Sequence, residues 1–150
     1  MVKRKHERTP PRRRGTDGLR KIQLEVGEDT LAKALAFVAE ASEELQPSAR
    51  ARLQTAADEL LTNIVSYSGA KTLKIMIDIT PGRTRLTLID DGAAFNPLEH
   101  AAPDLTKPFA ERPVGGLGIL IVKKLFDDIR YRRVAGTNIL TVRRIESETG

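Results

Sequence analysis

The chain of 150 residues contains no cysteine and no tryptophan, and it has only two histidines, His6 and His100. Disulfides, thiolate metal sites and thiol catalysis are therefore excluded, and a zinc site is not expected. Because aromatic residues make up only 4% of the sequence, the core must be largely aliphatic. No apolar run approaches the roughly 18 residues that a membrane span needs. No apolar segment follows the basic N-terminus, so we predict no secretory signal, no membrane partner and a cytoplasmic location.

The formal net charge of +5 is unevenly distributed along the chain. Residues 1–21 hold nine Lys or Arg against two acidic residues, whereas the remainder holds 16 basic and 18 acidic residues. We expect residues 1–20, with their charge and Pro10-Pro11, to form a disordered basic tail, and residues 147–150 a disordered C-terminus. The tail is either solvated or an arm that binds nucleic acid or an acidic partner. It has no interleaved aromatic residues to stack on bases. We favour a solvated tail over a functional arm and expect nucleic-acid binding, if any, only through this tail.

Hydrophobic periodicity divides residues 21–146 into strands and helices. It predicts strands over 21–26, 72–80, 84–89, 129–134 and 139–145, and helices over 28–46, 49–67 and 118–127. Ser48 is the expected N-cap of the second helix. Residues 91–116 lack periodicity, and a loop of this length is often a functional lid. The order predicts an α+β fold in which a layer of helices covers a mainly antiparallel sheet.

Three glycines, Gly115, Gly116 and Gly118, precede the apolar run of the last helix. A glycine-rich entry leaves backbone N–H groups free at the positive end of the helix dipole, where a phosphate can bind. The same pattern also fits a flexible loop that leads into an ordinary helix.

Glu59 and Asn63 are four residues apart in the second predicted helix, so they share one side at the edge of its apolar stripe. Asn offers a hard oxygen for Mg²⁺, and Glu can accept a proton. A solvated polar pair would show the same spacing.

Asp90 and Gly92 follow the end of a predicted strand in the segment DDGAAFNP. A carboxylate there can accept a hydrogen bond from an exocyclic amine such as adenine N6, and glycine lets a ring approach closely. A simple Asp-Gly turn is the alternative. A weaker fourth element, Gly136-Thr137, precedes the last strand.

Taken in their order along the chain, these four elements resemble the N, G1, G2 and G3 boxes of the Bergerat (GHKL) ATP-binding superfamily. The segments DELLTN, DDGAAFNP and GGLGILIVKKLFDDIRY are most similar to those of the bacterial anti-sigma-factor serine-protein kinases, the RsbW and SpoIIAB kind. The resemblance covers about residues 20–145. It implies a two-layer fold over residues 21–146 with a mixed, mainly antiparallel sheet and an ATP lid.

The resemblance also implies a role for each polar residue of the first two boxes. Glu59 would be the general base acting on the attacking hydroxyl, and Asn63 would coordinate Mg²⁺. Asp90 would bind adenine N6, with Gly92 beside the ring.

The glycine-rich boxes receive roles in the same way. Gly116 and Gly118 would line the phosphate site, and Gly115 would be a hinge of the lid. Thr137 would lie near adenine, although the register of this last box is left open.

The implied function is that of a regulator that binds Mg·ATP and phosphorylates a Ser or Thr of a STAS-type anti-anti-sigma protein. It would also sequester a sigma factor or another target, and relatives commonly form homodimers. The alternative is a nucleotide-binding partner-switch module that transfers no phosphate.

Overall fold

A computed structural model describes residues 18–99 and 116–146 of the chain. Within these residues it forms five strands and three helices. The strands are β1 (Leu19–Glu25), β2 (Thr72–Thr80), β3 (Arg83–Asp90), β4 (Asp128–Val134) and β5 (Thr137–Ile145). The helices are α1 (Thr30–Ala41), α2 (Pro47–Tyr67) and α3 (Gly116–Leu125), and a short 3₁₀ helix spans Pro97–Glu99.

The strands form one sheet in the order β1-β2-β3-β5-β4. All four pairings between the described strands are antiparallel, so the expectation of a mixed sheet is wrong for this part of the chain. The physical reason is the connection through α3. Strands β3 and β4 run in the same direction, but β5 lies between them and pairs antiparallel with both.

Alternation along the strands separates the two faces of the sheet. In β2, Leu73, Ile75 and Ile77 are fully buried, whereas the residues between them are only half-buried. The buried residues face a layer formed by the three helices, and the α1–α2 and α2–α3 pairs are in contact. This arrangement confirms the predicted α+β fold with helices on a single layer of sheet.

The core between helices and sheet is aliphatic, as the shortage of aromatic residues predicts. From α2, Leu53 and Leu61 are fully buried against Leu86 of β3 and Val142 of β5. Phe126, just beyond α3, is the one aromatic residue among the buried hydrophobic residues that the structure describes.

Several predicted boundaries are wrong by a few residues, for identifiable reasons. Strand β1 begins at Leu19, so Leu19 and Arg20, assigned to the tail, instead pair with β2. Helix α1 ends at Ala41, where buried Ser42 donates its hydroxyl to a carbonyl of the last turn. Helix α2 starts at Pro47, because proline suits the first helical position and needs no N–H partner there. Ser48 is therefore inside the helix and is not its N-cap.

Three predictions fall outside the described residues: the basic tail over residues 1–17, the lid over residues 100–115 and the C-terminal residues 147–150. Among the helices of the described ranges, none has the length and apolar character to cross a membrane.

Candidate functional site

Glu59 and Asn63 lie on the same side of α2, and both are half-buried. Leu60 and Leu61, which follow Glu59, are buried in the core. The pair therefore lies at the rim of the core, where the i, i+4 spacing places it.

The carboxylate of Glu59 lies against the first turn of α3. A Cβ atom built on Gly118 would overlap Glu59 Oε2 and would lie 2.9 Å from Glu59 Cδ. Gly118 is the third residue of α3, which begins at Gly116. The N–H groups of a first helical turn lack partners within the helix, and the helix dipole attracts negative charge there. The carboxylate on α2 and an anion-attracting helix terminus are thus brought together, and only glycine at position 118 leaves room for this contact.

Asp90 is the last residue of β3, and it is 4% exposed. Its Oδ1 atom accepts a hydrogen bond from the backbone N–H of Gly92 at 2.9 Å and from Asn138 Nδ2 at 3.1 Å. No group of residues 18–99 or 116–146 donates to its Oδ2 atom. One oxygen of the carboxylate therefore holds the turn, and the other remains available to an N–H donor.

Asn138 is a site residue that the sequence analysis missed. It stands directly opposite Asp90 in the β3–β5 pairing and is 4% exposed. Its Nδ2 also donates to the carbonyl of Ala93 at 2.8 Å, so it ties Asp90 to the segment after β3. Its Oδ1 accepts from the Tyr131 hydroxyl and, at 2.9 Å, from Arg133. Because both groups donate to Oδ1, the Nδ2 end of the Asn138 amide faces Asp90.

Thr137 lies on the face of β5 opposite to Asn138, which is the residue that stands across from Asp90 in the β3–β5 pairing. It lines a cavity of about 190 Å³ together with Gln23, Lys74 and Ile89 and with the Asp90–Asp91 turn. The alternation of Asn138, Leu140 and Val142 was the sequence signal that could have identified Asn138, since all three are buried on the helix side.

Gly92 is required by the end of α2. A Cβ atom at this position would lie 2.5 Å from the carbonyl oxygen of Ser68 and 2.7 Å from its Oγ. The same carbonyl accepts the N–H of Ala93 at 2.8 Å. The close approach that the sequence predicted at Gly92 is thus made, in this structure, by the backbone at the end of α2.

Asp91 fixes the other side of the turn. Its carboxylate accepts the backbone N–H groups of Thr72 at 2.9 Å and Lys71 at 2.7 Å. These two bonds, with Thr72 contributing most, lower the pKa of Asp91 below its ordinary value of 3.8 because they stabilise the charged form. The Asp90–Gly92 turn is therefore held by Asn138 on one side and by the start of β2 on the other.

The site residues follow one another along α2. Ser68, at the C-terminus of α2, contacts the Asp90–Gly92 turn, and Asn63 lies about 7 Å earlier along the helix axis. Glu59 lies about 13 Å before Ser68 by the same helical rise, and it contacts α3. From the end of α2 toward its start, the site therefore contains the buried carboxylate of Asp90, the amide of Asn63 and the carboxylate of Glu59, which lies at the N-terminus of α3.

Gly116 begins α3, whereas Gly115 lies outside the described residues. In the described ranges there is no group of three or more His, Cys, Asp or Glu that could hold a metal ion. A cation here would rely on Asn63 and on oxygens of a bound ligand, which is the usual way in which Mg²⁺ accompanies a nucleotide.

An antiparallel sheet with one helix layer, a buried Asp at a strand end and a glycine-rich helix N-terminus define the GHKL class of ATP-binding domains. A family model described as a histidine kinase-like ATPase domain matches residues 24–144. The chain therefore belongs to the histidine kinase-like ATPase domain family.

Curated proteins that are similar to this chain include bacterial serine or threonine kinases. The chain is 31% identical to the serine/threonine-protein kinase BtrW of Bordetella bronchiseptica over 127 residues, which cover 81% of this chain and 89% of BtrW. It is 27% identical to the serine-protein kinase RsbW of Bacillus anthracis over 103 residues. That alignment covers 64% of each chain, so it spans less than two thirds of RsbW.

Solved structures support the fold. The RsbU and RsbW domains of Rv1364c from Mycobacterium tuberculosis match with a TM-score of 0.58 and 17% identity, over 85% of this chain and 32% of that one. The Acinetobacter baumannii histidine kinase AdeS matches with a TM-score of 0.50 and 20% identity, over 86% of this chain and 68% of that one.

Proposed function

We propose that this domain binds Mg·ATP and transfers the γ-phosphoryl group to a Ser or Thr hydroxyl of a STAS-type anti-anti-sigma partner. The observation that carries the proposal is the contact between Glu59 and Gly118. The Glu59 carboxylate, a group that can accept a proton, lies beside the helix terminus where we expect phosphates to bind, and this supports the proposal. The similarity to BtrW and RsbW supports the choice of a protein hydroxyl as acceptor.

In the proposed reaction the partner's hydroxyl oxygen attacks the γ-phosphorus and forms the new O–P bond. The bond between the γ-phosphorus and the β–γ bridging oxygen breaks, and ADP leaves. Glu59 accepts the hydroxyl proton. The N-terminal turn of α3 stabilises negative charge on the transferred group, because this chemistry depends mainly on positioning and charge neutralisation.

Asp90 is assigned to adenine, with its Oδ2 atom accepting the exocyclic amine. Asn138 would orient that carboxylate through its bond to Oδ1. Asn63 would hold the Mg²⁺ ion, which neutralises phosphate charge when bound. Its half-buried position, between Glu59 and the Asp90 turn along α2, fits a nucleotide whose base lies at Gly92 and whose phosphates reach α3.

Within this proposal the domain is a partner switch. It would sequester a sigma factor or another regulator, and the phosphorylation state of the STAS-type protein would decide which partner it holds. The homodimer and the cytoplasmic location expected from the sequence belong to the same proposal.

The first test is calorimetric titration of ATP and ADP, with and without Mg²⁺, into the wild type and Asp90→Asn. We expect Mg²⁺-dependent binding that Asp90→Asn abolishes. The asparagine side chain can turn its own N–H groups toward the exocyclic amine of adenine, and two donors cannot form a hydrogen bond. Asp58→Asn, at an exposed position on α2, is the matched control and should bind ATP like the wild type. Absence of ATP binding to the folded wild type would refute the proposal.

The second test separates binding from transfer. Glu59→Gln should still bind ATP, but it should lose transfer of labelled γ-phosphate to STAS-type proteins by about 100-fold or more, the usual contribution of a general base. Transfer at the wild-type rate would show that Glu59 is not the base. ATP binding without transfer to any STAS-type protein would instead favour a nucleotide-dependent binding module.

A further inference from the structure

The face of the sheet away from the helices carries an excess of positive charge. On the strands that the structure describes, seven Lys or Arg residues and three acidic residues alternate onto this open face. Three of the cations, Lys21, Lys74 and Arg132, make no ion pair with any described residue. The other four cations, Arg83, Arg85, Arg130 and Arg143, pair with Asp78 or Asp128. No described helix covers this face, because the buried cluster lies on the other side.

The open face carries an apolar pair near the ends of β3 and β5 that adjoin Asp90. Ile89 and Ile139 stand directly opposite each other in the β3–β5 pairing, and both are half-buried. Lys74 and Arg132 flank this pair on the neighbouring strands, in the same cross-strand row. Apolar side chains bordered by charged ones are a usual feature of a protein–protein contact surface.

A second cross-strand row has a charged residue on each of β2, β3, β5 and β4. It contains Asp78, Arg85, Arg143 and Asp128 in that order across the sheet. The outer carboxylates bind the arginines, at 2.9 Å for Arg85 and 3.8 Å for Arg143. The two arginines nevertheless stand directly opposite each other, which is unfavourable for like charges. Arg143 Nε is also buried without a hydrogen-bond partner among the described residues. A carboxylate between the two arginines would relieve both defects.

We propose that this open face binds an acidic surface of a partner protein, with apolar side chains on Ile89 and Ile139 and carboxylates on the surrounding cations. The cavity of about 190 Å³ beside Lys74 offers room for one inserted side chain. Asp90 and Asp91 also line this cavity, so the open face adjoins the proposed nucleotide site. The inference rests on the charges of the open face and does not depend on the proposed kinase activity.

Charge and composition favour an acidic protein over the other occupants. Face-to-face contact between two copies would oppose two positive surfaces, and the basic segment over residues 1–17 would be repelled in the same way. Single-stranded nucleic acid binding normally uses aromatic stacking. The described strands place no aromatic residue on the open face, since Tyr131 points toward Asn138 on the helix side.

The test uses fluorescence anisotropy with the full chain at about 0.15 M salt. The probe is a labelled synthetic peptide of about 20 residues, long enough to form a helix, with Leu along one side and Glu beside it. Its counterpart with Lys in place of Glu, and a DNA duplex, are the comparison probes. We expect the acidic peptide to bind and the lysine peptide not to bind.

Two charge-reversal variants locate the contact. Lys21→Glu/Arg132→Glu should weaken binding of the acidic peptide by about tenfold or more, because both cations lie on the open face. Lys123→Glu/Lys124→Glu changes the formal charge equally at exposed positions on α3, and its affinity should match the wild type. Ile139→Thr should weaken binding several-fold, because it replaces apolar surface with a hydroxyl group. The strand should be preserved, since threonine is also β-branched.

Equal losses in the two charge-reversal variants would show non-specific attraction and would overturn the proposal. So would a preference for DNA over the acidic peptide, or the absence of peptide binding to the wild type. Sedimentation of the wild type and of the Lys21→Glu/Arg132→Glu variant measures the oligomeric state. If Lys21→Glu/Arg132→Glu dissociates a wild-type oligomer, the face is an interface between copies of the chain and not a site for an acidic partner.

Discussion

At the scale of single residues, we expect a substitution of Gly118 to affect stability and phosphoryl transfer differently. An alanine at this position would displace the Glu59 carboxylate, the flexible end of a side chain, while improving helix propensity by about 1 kcal/mol. We therefore expect Gly118→Ala to melt at or above the wild-type temperature but to lose phosphoryl transfer by about 100-fold. Gly27→Ala is the control, because a Cβ atom there meets nothing within 4 Å. Undiminished transfer by Gly118→Ala would contradict the role of this contact.

Asn138 and Thr137 offer a direct test of register. Asn138→Ala removes the partner of Asp90 Oδ1 and of the Ala93 carbonyl, so we expect a cost of about 1–3 kcal/mol in stability. ATP affinity should fall by about tenfold, which corresponds to roughly 1.4 kcal/mol. Thr137→Ala, on the other face, should leave ATP affinity unchanged. Calorimetric titration of both variants distinguishes the two positions, and the opposite pattern would favour Thr137 as the adenine contact.

Asp91 makes stability depend on pH. Its pKa is lowered in the folded state, so its stabilising effect is fully present above its ordinary pKa of 3.8 and is lost as the pH falls through the folded value. Asp91→Asn should therefore lose less stability than the wild type when the pH falls below 3.8. Urea unfolding at pH values from 3 to 7 measures the difference, with Asp58→Asn as control. Parallel pH curves for wild type and Asp91→Asn would contradict the predicted coupling.

At the scale of elements, the start of α1 depends on the buried hydroxyl of Thr30. Its Oγ1 accepts the N–H of Gly27 at 2.6 Å and donates to the carbonyl of Glu25 at 3.1 Å. Thr30→Val keeps the shape but leaves both backbone groups unpaired. We expect it to lower the free energy of unfolding by about 1–3 kcal/mol, measured by urea denaturation. Thr55→Val, at an exposed position in α2, should change it by less than about 0.5 kcal/mol.

At the scale of the whole molecule, the formal net charge of +5 comes entirely from residues 1–17. Residues 1–17 hold seven basic and two acidic residues, so the rest of the chain carries 18 of each. Deleting residues 1–17 should leave the melting temperature and ATP affinity unchanged and should remove any salt-dependent affinity for duplex DNA. Deleting residues 1–20 should also lower the melting temperature, because Leu19 and Arg20 pair with β2. DNA affinity that survives the shorter deletion would place nucleic acid binding in the folded domain.

The amino-acid sequence alone determined the element types, the helix layer on an antiparallel sheet and the family. Strand alternation in β2 and the i, i+4 spacing of Glu59 and Asn63 are local patterns, which local periodicity is sufficient to predict. The predicted ends of strands and helices were less accurate where a single tertiary contact or hydrogen bond sets the end. Pairing of Leu19 with Asp78 extends β1, and the Ser42 hydroxyl ends α1.

Only the tertiary structure decided which residues meet across the site. The contact of Glu59 with Gly118 joins residues from two helices, and the register between β3 and β5 puts Asn138 opposite Asp90. A shift of one residue in register moves every side chain of a strand to the other face, so a motif alone cannot assign that position. The basic open face has the same origin, because its cations come from strands far apart in the chain that only the sheet brings side by side.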